Sequence, residues 1–327
     1  MTDEINFKTF FENRTGLTDK DEYMHDLEKQ FGQFPRYHNE SWYFNFIDRP
    51  NNVYFITRLS FHMDTKKSRI LCLLVIDGKN NTYFNEIKLE NLPQNWEFDE
   101  KVKYYCMKPM HKWRIKFEDK KINLDVNIEG RFPVMNFGDI EDPNTIIEKY
   151  GEDFLKVAAQ EHYEQPTIAT GILELKKGGK IYQKRNIKGL GHRDHSWGIR
   201  HWVQIDAWNW VSAQFEDMTI NCYKTHLPGI TPQMGVIYSK GKENALIENI
   251  EVTTKTKEDG KTPISSTFIL TDKNGNKKIL ESKTISSVYL PLPSKKGLTE
   301  IFEQVAIFSC DGIEGDGISE YLISTRD

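Results

Sequence analysis

The sequence predicts a mainly β protein built from antiparallel strands and divided into two halves. Three observations carry that expectation. Aromatic residues make up 12% of the chain, with 19 Phe, 14 Tyr and 7 Trp, and aromatic side chains favour the pleated, half-buried surface of a sheet. Apolar residues alternate with polar ones over many short segments, which is the period of a strand. Polar turns separate these segments with no regular strand–helix alternation, the pattern of antiparallel barrels or sandwiches. A length of 327 residues suffices for two such domains.

The first periodic element is helical. Thr18 can cap it, Asp19, Asp21 and Glu22 suit a positive helix end, and Tyr23, Leu27 and Phe31 share a face that Met24 widens. Residues 1–34 therefore read as an N-terminal helical extension. Trp42, Phe44 and Phe46 then alternate with Ser41, Tyr43 and Asn45, Val53 to Phe61 reads as a strand, and Ile70 to Ile76 as a fully buried one. Trp113, Ile115 and Phe117 pair across Glu118-Asp119-Lys120 with Ile122, Leu124, Val126 and Ile128 as a hairpin.

Asp142-Pro143-Asn144 interrupts the series, and Ile146, Ile147, Phe154, Leu155 and Val157 suggest a helix that Gly151 weakens. Residues 141–165 thus read as a connecting segment between a first β-domain, 35–140, and a second, 166–327. In the latter, Ile168 to Leu175 and the chain from Ile181 form a hairpin around Lys177-Gly178-Gly179-Lys180. Further strands are expected at 202–215, 218–224, 234–238, 247–254, 265–270, 278–283 and 303–310, and Gly312, Gly315 and Gly317 read as turns.

A net charge of −4 and the lack of any Lys/Arg block argue against nucleic acid as a partner. Cys72, Cys106, Cys222 and Cys310 are far apart and form no C-x-x-C, so they read as reduced thiols rather than a disulfide framework or zinc site. The acidic N-terminus has no apolar leader core, and the longest apolar run, Ile70 to Ile76, is far below the ~20 residues that span a bilayer. A soluble, cytoplasmic protein with no stable membrane insertion is expected. No phosphate-cradling glycine motif is present.

The densest group of reactive side chains is Gly191-His192-Arg193-Asp194-His195-Ser196-Trp197-Gly198, expected as a loop or irregular strand entry. Asp194 can serve as an acid if burial raises its pKa, and His192 or His195 can exchange protons near neutrality. Metal binding by His192, Asp194 and His195 is disfavoured, because an extended chain puts His195 on the other face from His192 and Asp194. A Ser196 nucleophile lacks its strand–turn–helix setting. The competing structural reading is a polar knot, with Arg193 paired to a carboxylate, Asp194 accepting main-chain N–H bonds and Trp197 packed.

In the strand expected at 202–215, Val203, Ile205, Ala207, Val211, Ala213 and Phe215 form a core face. The other face carries Trp202, Gln204, Asp206, Trp208, Trp210, Ser212 and Gln214. Tryptophans among placed polar groups suit a ligand-pocket wall or a domain interface. Glu40 to Phe46 shows a similar mix. Glu161-His162-Tyr163-Glu164-Gln165 suits either acid–base work or a capped helix end.

Those three segments together, Glu40 to Phe46, His162 to Gln165 and Gly191 to Gly198, resemble the tandem-lipocalin family related to carotenoid 1,2-hydratase (hydroxyneurosporene synthase) and the AttH-like proteins, in particular a branch carrying G-H-R-D-H-S-W-G. The stretch from Asp311 to Tyr321 resembles the closing strand of those relatives, and the likeness runs from about residue 35 to the end. The resemblance implies two lipocalin-like antiparallel β-barrels in tandem, with peripheral helices and a ligand pocket near their junction. It implies a hydratase or cyclase that needs no cofactor and no metal and acts on a hydrophobic isoprenoid, lipid or polyketide-like molecule by protonating an alkene. The alternative is a non-catalytic carrier of a lipid or isoprenoid; a homodimer is left open. On this reading Asp194 is the acid, assisted by His192 or His195, Arg193 is structural, and Trp202, Trp208 and Trp210 form the wall with Asp206 as reserve acid. Trp42, Tyr43, Gln165 and Trp197 are further substrate contacts.

Overall fold

The computed structural model describes residues 16–25, 38–89, 96–140, 143–151, 160–199 and 204–326. The chain divides into two compact units, Met1–Arg200 and His201–Asp327. The mainly β expectation holds: one unit is built on a curled ten-stranded sheet and the other on a closed eight-stranded barrel, consistent with tandem lipocalin-like barrels. No helix among the described residues is long and apolar enough to cross a membrane.

In the first unit the strands are β1 (His38–Asp48), β2 (Val53–His62), β3 (Lys67–Ile76), β4 (Lys79–Lys88), β5 (Val102–Lys108), β6 (Lys112–Glu118), β7 (Ile122–Gly130), β8 (Met135–Asn136), β9 (Gln160–Lys177) and β10 (Lys180–Ile199). The sheet order is β4-β3-β2-β1-β10-β9-β7-β6-β5, with β8 paired to β9. The expected hairpins at 113–128 and 168–181 are present as β6–β7 and β9–β10. Alternation sets the faces: Trp42, Phe44, Phe46, Phe55, Phe61, Trp113, Ile115 and Leu124 point into one core.

The hairpin β9–β10 corrects two expectations. Residues 160–199 belong to this first sheet rather than to a connecting segment and a second domain, and Gly191 to Gly198 is a central strand rather than a loop. The glycines explain why. A Cβ on Gly191 would come within 1.9 Å of the Asn45 carbonyl oxygen, and one on Gly189 within 2.6 Å of that of Ile47. They are needed for close approach to β1, not for turn angles.

The N-terminal helix is shorter than expected. A single 3-10 turn, Asp19–Glu22, carries a capping box made by Thr18 and Asp21. Leu27 and Phe31 lie outside the described residues. Helix α1 (Pro143–Tyr150) ends where Gly151 takes a φ of +80°; Phe154, Leu155 and Val157 lie outside the described residues.

In the second unit β11 (Ala207–Gln214), β12 (Met218–His226), β13 (Gln233–Ser239), β14 (Ala245–Thr256), β15 (Pro263–Asp272), β16 (Lys277–Ser294), β17 (Gly297–Cys310) and β18 (Ile313–Arg326) close in sequence order. Closure leaves no sheet edge exposed. Val211, Ala213, Phe215, Ile220, Phe268 and Phe308 fill the interior. Gly315 and Gly317, expected as turns, lie within β18; a Cβ on Gly317 would meet the Ser212 carbonyl oxygen at 2.0 Å.

Candidate active site

β1 pairs with β10 so that Trp42 lies opposite His195, Phe44 opposite Arg193 and Glu40 opposite Trp197. Arg193, His195 and Trp197 therefore share the inward face with Glu40 and Trp42. His192, Asp194 and Ser196 share the other face with Ser41, Tyr43 and Asn45. β9 adds Glu161, Tyr163 and Gln165 to the inward face.

Among the described residues, two carboxylates are completely buried on the inward side. Glu40 and Glu22 each have 0% exposure. Glu40 Oε1 lies 2.9 Å from His195 Nε2 and 2.8 Å from His25 Nδ1, and the His25 main-chain N–H donates to Glu40 Oε2 at 3.0 Å. Burial alone would raise this carboxyl, but the hydrogen bonds from His195 and His25 overcome it and hold it at about 2. Burial would likewise depress His25, whose contacts with Asp21 and Glu40 raise it instead to about 9.

His195 is the point where these forces oppose one another. Its Nδ1 lies 2.9 Å from the Asp21 carbonyl oxygen, which can only accept, so Nδ1 carries a hydrogen. The Nε2 contact with Glu40 then needs a hydrogen of its own, because two lone pairs do not sit at 2.9 Å. Burial draws the imidazole pKa downwards more strongly than Glu40 raises it. The Nε2–Oε1 contact is thus a hydrogen bond in a setting where burial disfavours the imidazolium. Trp42 stacks on the His195 ring at 4.2 Å, and Tyr163 meets it edge-on at 5.3 Å.

Glu22 anchors a second network. Its Oε1 accepts from Arg193 at 2.7 Å, from the Tyr163 hydroxyl at 2.8 Å and from the Trp113 indole at 3.0 Å. Its Oε2 accepts from Arg193 at 3.2 Å and from the Met110 main-chain N–H. Burial would raise Glu22, and the Arg193 charge and hydrogen bond bring it below the ordinary carboxylate range. Gln165 braces the arginine: its Oε1 accepts from Arg193 Nε at 2.8 Å while its Nε2 donates to the Phe132 and Met110 carbonyls.

His25, Glu40 and His195 offer ligand atoms within 4.8 Å of one another. The two imidazole nitrogens lie at hydrogen-bond distance, 2.8 and 2.9 Å, from one and the same oxygen. Ligands of a tetrahedral ion with bonds of about 2.0–2.1 Å stand about 3.3 Å apart. The spacing is that of hydrogen bonds and is tighter than a tetrahedral ion sets.

The three residues expected to act together are split. His195 is in the acid–base cluster, whereas His192 and Asp194 face the other way. There His192 Nε2 lies 2.8 Å from Glu164 Oε2 and His162 Nε2 lies 3.1 Å from Glu164 Oε1. Residues 161–165 are strand, not a helix end. Trp42, Trp197 and Gln165 join the inward cluster; Tyr43 does not. Trp208 and Trp210 alternate with the barrel-core residues Val211 and Ala213 and so face outwards, half-buried, with the Trp208 indole donating to Glu320 at 2.6 Å. Asp206 pairs with Arg326 at 2.5 Å, 42% exposed, which is no setting for a buried acid. Trp202 lies outside the described residues.

Sequence reasoning gave no acid–base or binding role to Glu22, His25, Glu40 or Trp113 individually. The polar-knot reading did require a carboxylate for Arg193, and that was the one available signal for Glu22.

Comparison with solved structures shows the same fold at low identity. An AttH-like protein from Nitrosomonas europaea superposes with a TM-score of 0.60 at 13% identity, covering 91% of this chain and 96% of its own. Kievitone hydratase from Nectria haematococca gives 0.59 at 13% identity, covering 95% and 96%. CghA with Sch210972 gives 0.61 at 12% identity, covering 88% and 89%. No curated protein matches the sequence. Residues 18–324 match one family model over nearly the whole chain, so the chain belongs to the family described as a domain of unknown function, DUF7064.

Proposed function

We propose that the protein is a cofactor-independent hydratase or cyclase of an apolar alkene-bearing molecule, with His195 and Glu40 as its proton-transfer pair. The observation that carries this reading is the buried Nε2–Oε1 contact of 2.9 Å beneath the Trp42 ring. His195 donates its Nε2 proton to one alkene carbon, leaving a cation on the other. Trp42, stacked on the same imidazole, offers a ring face to that cation. Water, or a nucleophile within the same molecule, adds to the cation and returns a proton to Nε2. Glu40 stabilises the imidazolium before donation and after recapture, and in the ligand-free state the Asp21 carbonyl accepts from Nδ1.

This places the acid at His195–Glu40 instead of Asp194, which lies on the opposite face of β10. The likeness to kievitone hydratase and CghA supports the class in general terms. Native mass spectrometry of the protein from its own source identifies a retained ligand, and incubation of that ligand in deuterated water tests the chemistry. One deuterium at carbon with the native protein, and none with Glu40→Gln or His195→Gln, is the expected outcome. Retained ligand with no conversion by the native protein would favour a carrier.

A further inference from the structure

The receptor around Glu22 is built almost wholly by the sheet. Trp113 comes from β6, Tyr163 from β9, Arg193 from β10, and Met110 from the turn before β6. Only the carboxylate comes from outside the sheet, on the segment 16–25. That segment also covers the aromatic cup. Tyr23 stacks on Trp96 at 5.6 Å, His25 stacks on Trp197 at 4.0 Å, and the Glu22 carbonyl accepts from the Trp42 indole at 3.1 Å. Five donor contacts converging on one carboxylate, beside exposable aromatic faces, describe a binding site for an amphipathic acid.

We propose that Arg193, Tyr163, Trp113 and the Met110 main-chain N–H form a carboxylate-binding subsite, that Glu22 occupies it as an internal stand-in, and that the natural ligand is an apolar molecule bearing a carboxylate. Exchange is the physical requirement. Arg193 is 1% exposed, and a buried guanidinium cannot be left without an anion. An incoming carboxylate replaces that of Glu22 one for one, and the apolar body takes the faces of Trp42, Trp96 and Trp197 that the segment gives up. His195 and Glu40 both belong to the sheet and remain beside it, keeping their mutual contact while those with Asp21 and His25 are released. The inference deepens the acid–base reading by naming the substrate class of that site.

Its test reads binding rather than turnover. Naphthoate and its uncharged analogue naphthylmethanol are titrated calorimetrically into the native protein, Glu22→Ala and Glu22→Ala/Arg193→Met, each checked for folding by circular dichroism. Glu22→Ala is expected to bind naphthoate about tenfold or more tightly than the native protein does, and about tenfold or more tightly than it binds the alcohol. Adding Arg193→Met is expected to abolish that preference. Equal affinity for acid and alcohol in folded Glu22→Ala, or no binding of either, overturns the proposal.

Should Glu22→Ala not fold, the native full-length chain decides. Hydrogen exchange across residues 18–25 is expected to accelerate under saturating naphthoate and not under naphthylmethanol; unchanged exchange overturns the proposal. A failure of the acid–base reading shows itself separately, as conversion that survives Glu40→Gln.

Discussion

Two tryptophan-rich strands on the same chain have different fates. β1 puts Trp42 on the inward face of the first sheet, stacked on a histidine that is hydrogen-bonded to a fully buried glutamate. β11 puts Trp208 and Trp210 on the outside of the barrel, half-buried, with one indole bonded to Glu320. Both strands alternate apolar and polar residues and both look like pocket wall. The difference is the company of buried charge. Carboxylates and an arginine taken out of water cost several kcal/mol each unless paired. A fold that keeps Glu22, Glu40 and Arg193 inside one sheet carries groups whose chemistry differs from packing.

The contrast can be broken first at the acid. Glu40→Gln is expected to lower turnover of the identified substrate by about 10²–10⁴-fold with folding retained, the usual range for a lost acid–base group. Glu320→Gln in the barrel is expected to leave it unchanged; a parallel steady-state assay of both variants checks this.

The next largest effect is on stability. Arg193→Met strands Glu22 without its partner and is expected to cost about 3–5 kcal/mol in denaturant unfolding. The double variant Glu22→Leu/Arg193→Met is expected to recover little of that loss, because Leu leaves the buried Tyr163, Trp113 and Met110 donors without their acceptor at about 1–3 kcal/mol each. Trp208→Phe removes one hydrogen bond at a half-exposed site, and about 1 kcal/mol is expected.

A smaller effect is the pH dependence of His25, which faces Asp21, Glu40, His195 and Trp197. Its pKa is raised from 6.5 to about 9. The folded state therefore binds its proton more tightly, and the stability it supplies is fully present below 6.5 and lost as pH rises through about 9. Glu40, held at about 2 against an ordinary 4.5, works in the opposite sense: its contribution is present above 4.5 and fades as pH falls towards 2. The stability difference between native protein and His25→Gln should shrink with rising pH over the first window. A difference that grows there contradicts the contacts described. The smallest effect is expected from chelation: prolonged dialysis against a strong chelator should leave unfolding and turnover unaltered.

The strand pattern was legible wherever one face is apolar and the other polar, as in β6, β7 and β12. It failed at β10, where Gly191 to Gly198 is buried on both faces by polar and aromatic side chains, so no alternation of polarity marks it as strand. It also missed β4, whose Asn- and Lys-rich run Lys79–Lys88 has little apolar content. The site was half legible. The cluster of reactive side chains on β10 identified the strand, but its two carboxylates come from residues 155 and 171 positions away. No local spacing shows such a partner. Asp21 and Glu22 look like ordinary helix-start acids until the sheet closes over them.

The His195–Glu40 hydrogen bond is open to direct observation by nitrogen-15 and proton NMR of histidine-labelled protein across the neutral range. A hydrogen bound to His195 Nε2, shifted far downfield in the native protein and displaced by Glu40→Gln, is the predicted result. An Nε2 that carries no hydrogen at any neutral pH would contradict the acid pair.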